Sequence, residues 1–308
     1  MNLDIDLVSN IRINLSAIER RTSTLTKRRS VKKEYQAAWL LKAISLIDLT
    51  TLSGDDTAGK VERLCEKAKR PISLDLLDRL GLQQGEIQVG AVCVYHHLIK
   101  EAKKHLPKNI PVAAVSTGFP AGLSSFKTRK LEITESIKNG ADEIDIVINR
   151  KAFFEGDYKK VYEEIKALKD VCGEIHLKTI LEIGELKTYE NIKKASVIAL
   201  CAGSDFIKTS TGKISNGSSR EACLIMARTV REFESYGYGI RGIKVAGGIR
   251  DAKDAIRYLV IINEELGGTW LSADYFRFGA SSLLDDVLKQ IKKLKTNAYQ
   301  SSYYFPRG

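Results

Sequence analysis

The chain has 308 residues, of which 44% are hydrophobic and 28% charged, with five prolines. That composition suits one or two globular domains and excludes long disorder, and no apolar run approaches the roughly 20 residues that would span a membrane. A formal charge of +11 favours an anionic partner, either nucleic acid or a phosphorylated small molecule.

Residues 1–40 read as a helical, basic extension, with basic pairs and triplets at Lys27-Arg-Arg29 and Lys32-Lys33. The opening segment mixes acids into its apolar positions and lacks a secretory h-region, so a cytoplasmic location is expected. Eight β-rich runs then follow at 45–49, 89–95, 112–116, 143–148, 176–181, 205–207, 240–245 and 275–278. Their midpoints cover about 230 residues in seven intervals, roughly 33 per strand–helix unit. Between them, 127–139, 158–170, 187–200, 219–233 and 252–259 (with a further run to 266) carry apolar residues at helical spacing among Lys and Glu. The pattern predicts a (β/α)8 TIM barrel over 41–296, closed by a helix at 282–295 and followed by a polar, Tyr-rich tail over 297–308.

In such a barrel the residues that act sit at the carboxyl ends of the strands. Lys208 and Lys244 each end an apolar run and lie 36 residues apart, so their strands are expected to be neighbours. Two ammonium groups that close should lower each other's proton affinity, by about two pKa units at roughly 5–6 Å in an effective dielectric near 20. A lysine tuned in this way is a nucleophile for carbonyl carbon. Asp145, in Glu143-Ile-Asp145, shares a strand face with Glu143 and needs a cationic partner if it points inward. The glycine-containing turns Ala246-Gly-Gly248 and Gly279-Ala-Ser-Ser282 follow the seventh and eighth runs, where barrels commonly hold phosphate, and Thr211-Gly-Lys213 adds a cation after the sixth.

Other motifs fail on context. Gly237-Tyr-Gly239-Ile-Arg-Gly242 fits a dinucleotide fingerprint but precedes a strand. The four histidines form no metal-ligand pattern, and the five cysteines contain no C-x-x-C pair, so no metal site and no disulfide framework are expected.

Taken together, Ile47-Asp-Leu-Thr-Thr-Leu52, Val92-Cys-Val-Tyr95, Gly118-Phe-Pro-Ala-Gly122, Glu143-Ile-Asp-Ile-Val147, Asp205-Phe-Ile-Lys-Thr-Ser-Thr-Gly-Lys213, Lys244-Val-Ala-Gly-Gly-Ile-Arg250 and Phe278-Gly-Ala-Ser-Ser282 resemble the deoxyribose-phosphate aldolases, in order from about residue 30 to residue 290. The long amino-terminal extension resembles the eukaryotic branch. The resemblance implies a class I aldolase without cofactor or metal, cleaving 2-deoxyribose 5-phosphate to glyceraldehyde 3-phosphate and acetaldehyde. It implies a Schiff base on Lys208, a pKa-depressing role for Lys244 and proton relay by Asp145. Asp48 and Thr50 would contact sugar hydroxyls. Thr211, Lys213, Gly247, Gly248, Gly279, Ser281 and Ser282 would surround the phosphate.

Val245 and His96-His97 depart from the family pattern, which commonly has proline after the lysine and after the tyrosine. Bacterial members use a carboxyl-terminal tyrosine in proton transfer, for which Tyr299, Tyr303 and Tyr304 are the candidates. The alternatives are a Schiff-base lyase for another sugar phosphate and a basic barrel that binds nucleic acid. A small sugar phosphate, no membrane and a homo-oligomer are the expected partners.

Overall fold

The computed structural model describes residues 3–28, 31, 33–298 and 301. Eight parallel strands close into a barrel in chain order. They are β1 (Ile47–Thr50), β2 (Ala91–Tyr95), β3 (Val112–Val115), β4 (Glu143–Val147), β5 (His176–Ile180), β6 (Phe206–Lys208), β7 (Gly242–Ala246) and β8 (Phe276–Ala280). All begin and end within two residues of the runs read from the sequence.

Three helices precede the barrel: α1 (Ile5–Ser9), α2 (Leu15–Arg28) and α3 (Lys33–Ser45). After β1 come α4 (Ala58–Lys69) and α5 (Leu74–Leu80), then α6 (Ile99–His105) after β2 and α7 (Phe126–Lys138) after β3. Helices α8 (Arg150–Phe154) and α9 (Tyr158–Cys172) follow β4, and α10 (Ile183–Leu186) and α11 (Tyr189–Cys201) follow β5. Finally α12 (Arg220–Ser235), α13 (Ala252–Leu266) and α14 (Leu283–Thr296) follow β6, β7 and β8. The two helical runs expected over 252–266 are one helix. The short helices α5, α6, α8 and α10 carry too few turns for a periodic pattern to emerge from the sequence.

Strand alternation divides the core. Outward-facing Leu49, Val92, Ile144, Leu177, Ile207, Ile243, Val245 and Phe276 merge with the apolar faces of the helices into one continuous cluster. Val245, one of the two departures noted above, is fully buried in that cluster and serves packing between strand and helix. Helix starts are fixed by side-chain caps: Thr57, Ser219 and Asp251 each accept from the backbone N–H three residues on. The inner face carries a small apolar group, Cys93, Ala113 and Val115 with Leu52, and seven charged side chains described below.

The amino-terminal helices lie on the outside of the barrel, α2 against α12 and α13, and α3 against α13 and α14. Arg21 donates to Glu265 at 2.7 Å and Thr22 to Glu221 at 2.9 Å, which ties α2 to α13 and α12. Helix α3 runs through residue 40 and ends just before β1, so the extension is continuous with the barrel's first strand. Arg29, Lys32, Tyr299, Tyr303 and Tyr304 lie outside the described residues. Among those described, no helix is long and apolar enough to cross a membrane.

At the floor of the barrel the ring of Phe206 fills the space beside Gly242, where an added Cβ would come within 2.3 Å of the ring. Gly242→Ala should therefore destabilise the fold by about 1–3 kcal/mol through overpacking. Urea denaturation checks this, with Phe206→Leu in the same chain expected to recover part of the loss. An unchanged midpoint in Gly242→Ala would contradict the packing.

Candidate active site

Seven charged side chains point into the barrel, all buried: Asp48, Glu143, Asp145, Lys178, Lys208, Lys244 and Arg277. They share the interior because each occupies an inward position in register with the next. Asp145 is paired with Lys178 across β4 and β5, Lys208 with Lys244 across β6 and β7, and Lys244 with Arg277 across β7 and β8. Small side chains on β2 and β3, Ala91, Cys93 and Ala113, leave room for them.

Asp145 is the hub. Its Oδ1 takes Lys178 at 3.2 Å, and its Oδ2 takes both Lys208 and Lys244 at 2.8 Å. Lys244 also meets Asp48 at 2.5 Å, and Arg277 bridges Asp48 at 2.6 Å and Glu143 at 3.0 Å. Lys178 completes the circuit by donating to Glu143. Four cations face three carboxylates, which leaves one positive charge uncompensated in a buried space. Lys178, Lys244 and Arg277 each touch two carboxylates; among the described residues Lys208 touches Asp145 alone.

The proton affinities follow this asymmetry. Burial pushes Lys208 below an ordinary lysine; Asp145 opposes that and Lys244 reinforces it. Burial acts on Lys244 too, but Asp145 and Asp48 outweigh it and hold Lys244 well above the ordinary value. Lys178 is likewise raised, because Asp145 and Glu143 overcome burial. The expectation of mutual depression is thus corrected. Only one of the two lysines is depressed, because Asp48, one strand beyond β8, stabilises the charge on Lys244. For Asp145, burial favours the neutral acid, yet Lys178, Lys208 and Lys244 together hold the carboxyl well below its usual range.

Above this network a cleft of about 570 Å³ opens at the carboxyl ends of the strands. Its walls include Lys208, Thr50, Thr211, Lys213, Gly247, Gly248, Gly279, Ser281 and Ser282. Asp48, Asp145 and Lys244 do not line it; they lie beneath, with Lys208 as the one interior charge that reaches the open space. Gly247 and Gly248 have φ of 89° and 84°, a backbone open to glycine and costly for other residues. Gly279 has a second reason to lack a side chain. A Cβ there would lie 2.8 Å from the Ala246 Cβ and 3.1 Å from Lys244 Cε, crowding the stem of that lysine.

Glu182 was not evident from the sequence. It is buried in a left-handed conformation (φ 58°, ψ 61°) at the end of β5. Its carboxylate accepts from Ser210 at 2.6 Å and from the Thr211 hydroxyl at 2.5 Å. It thereby shapes the 209–213 turn, and Lys213 closes that turn onto the Leu52 carbonyl. Arg277 was visible as a charge inside an apolar run, and period-2 alternation would have placed it inward. His96 and His97 form a single helical turn after β2, where His96 approaches Glu132 at 3.5 Å.

A family model for the DeoC/LacD family aldolases matches residues 42–289. Human deoxyribose-phosphate aldolase is 48% identical over 307 residues, covering 99% of this chain and 96% of its own. A putative deoxyribose-phosphate aldolase of Caenorhabditis elegans is 43% identical over 251 residues, 80% of each chain. The apo-form structure of a putative deoxyribose-phosphate aldolase from Toxoplasma gondii is similar at a TM-score of 0.69 and 25% identity, covering 82% of this chain and 96% of that one. With residues 42–289 matched and a relative so similar from end to end, the chain belongs to the DeoC/LacD family of aldolases.

Proposed function

We propose that this chain reversibly cleaves 2-deoxy-D-ribose 5-phosphate to D-glyceraldehyde 3-phosphate and acetaldehyde through a Schiff base on Lys208, without a metal. The observation that carries the reading is the place of Lys208, the one charge of the barrel interior that lines the cleft and the one held by a single carboxylate, with burial and Lys244 lowering its proton affinity. The 48% identity to human deoxyribose-phosphate aldolase over 99% of this chain supports the choice of sugar. A centre that already holds four cations against three carboxylates is a poor place for a metal ion. Five buried, unbridged cysteines suit the reducing cytoplasm, where the breakdown of deoxynucleosides would supply the substrate.

In this reading the neutral Lys208 amine adds to C1 of the open-chain sugar to give a carbinolamine, whose hydroxyl takes up a proton from the surrounding network and leaves as water to give an iminium. A base removes the proton of the C3 hydroxyl, the C2–C3 bond breaks and its electrons enter the iminium, leaving an enamine and glyceraldehyde 3-phosphate. Protonation of the enamine at C2 and hydrolysis then release acetaldehyde and the lysine. Asp145, held as a carboxylate by three lysines, passes protons between Lys208, Lys244 and water without retaining one. Asp48 acts from beneath the cleft by fixing Lys244 and Arg277, and Thr50, which lines the cleft, faces the sugar. The turns at Thr211–Lys213, Gly247–Gly248 and Ser281–Ser282 receive the phosphate.

Incubation with 2-deoxyribose 5-phosphate should yield the two aldehydes in equal amounts, at a rate unaffected by EDTA. Absence of cleavage, or its loss on chelation, would contradict the proposal. Lys244→Met keeps the apolar stem and removes a neighbouring cation, so the Lys208 proton becomes harder to lose. Turnover at pH 7 should fall roughly a hundredfold and the rising limb of the pH–rate profile should move upward by about two units. An unshifted profile would mean that Lys244 does not tune the nucleophile. Asp145→Asn keeps the shape but not the relay; kcat should drop by about 10²–10⁴ while inorganic phosphate still competes for the cleft. An unchanged kcat would reduce Asp145 to a packing role.

A further inference from the structure

Helix α4 presents residues 60, 63, 64 and 67 to the cleft, spaced as one face of a helix. Three of the four are Lys60, Arg63 and Lys67, so a basic wall borders the same opening as the glycine turns. With Lys208, Lys213 and Arg250 the cleft has six basic residues in its lining and one acid, Asp285. Two of the wall's cations are already engaged: Lys60 with Asp56 at 2.9 Å and Lys67 with Asp285 at 2.5 Å. Arg63 is exposed and makes no ion pair among the described residues. Asp285 stands in the first turn of α14, directly after Ser281 and Ser282, where the amides and dipole of the helix favour an anion.

We infer that α4 forms the second half of the anion site, with Arg63 as its free guanidinium. The Lys67–Asp285 pair is a built-in counter-ion that competes with the ligand's phosphate. An incoming phosphate meets Arg63 directly and shares Lys67 with Asp285. The carboxylate of Asp285 meanwhile repels it from the start of α14. The wall therefore sets how strongly the enzyme prefers phosphorylated over unphosphorylated sugar, and two neighbouring residues act on that preference with opposite signs. This inference deepens the aldolase reading and rests on it for the identity of the sugar, but the anion site itself can be read without turnover.

The test uses the full chain and inorganic phosphate, followed by calorimetric titration, in Arg63→Gln, Arg63→Lys and Asp285→Asn. Arg63→Gln should weaken phosphate binding roughly three- to tenfold, the scale of a partly exposed charge-assisted contact, and Arg63→Lys should restore part of it. Asp285→Asn should strengthen binding by a similar factor and steepen its dependence on salt. The ratio of kcat/KM for 2-deoxyribose 5-phosphate to that for 2-deoxyribose should move in the same two directions. Weakening by Asp285→Asn, or no change in Arg63→Gln, would overturn the inference. A wild-type chain that binds phosphate with these responses yet cleaves no deoxyribose phosphate would instead overturn the reading of its substrate.

Discussion

Asp145 accepts from three lysines at once, Lys178 on one oxygen at 3.2 Å and Lys208 and Lys244 on the other at 2.8 Å each. Carrying so many charges out of water costs several kcal/mol per ion, and the cost is offset only while every member keeps its partners. The network meets that condition for all but one charge. With four cations and three carboxylates inside the barrel, the loss of a single proton makes the interior neutral. Three cations are held by two carboxylates apiece, so Lys208, held by one, is where that proton leaves most readily. In the proposed reaction the chemistry follows from a charge imbalance that the fold cannot correct without adding another acid.

The packing around the network preserves the imbalance. Gly279 gives Lys244 the space to lie between Asp48 and Asp145; a methyl group there would press on its Cε from 3.1 Å. Phe206 fills the floor beside Gly242 and puts its ring 5.8 Å from the Lys178 ammonium, a contact that favours the charged form. Above the network, Glu182 holds Ser210 and Thr211, so the turn that follows Lys208 is fixed from outside the cleft. The Glu182 carboxylate is thereby spent on positioning. The cleft itself stays basic, with Asp285 as the one acid in its lining.

The barrel was legible because strand and helix alternate at a steady period, and because lysines at the ends of apolar runs stand out against the cost of burying them. Asp145, Lys208 and Lys244 could be grouped from alternation and spacing alone. What could not be read was which carboxylate each lysine meets. That depends on register across the barrel: Asp48 pairs along its backbone with Gly279 of β8, yet its side chain reaches Lys244 on β7. The sequence therefore suggested two lysines depressing one another, whereas Asp48 raises one and leaves the other low. Glu182 was hidden for a related reason. It sits in a short segment without periodicity, and its left-handed backbone has no signature in a residue type that rarely adopts it.

The central claim is that Lys208, and no other lysine, is the free amine of this interior. Borohydride reduction in the presence of acetaldehyde, followed by peptide mapping, tests it most directly. The account predicts a single reduced adduct, an ethyl group on Lys208, formed at neutral pH. An adduct on Lys244, Lys213 or Lys178, or labelling spread among them, would contradict it.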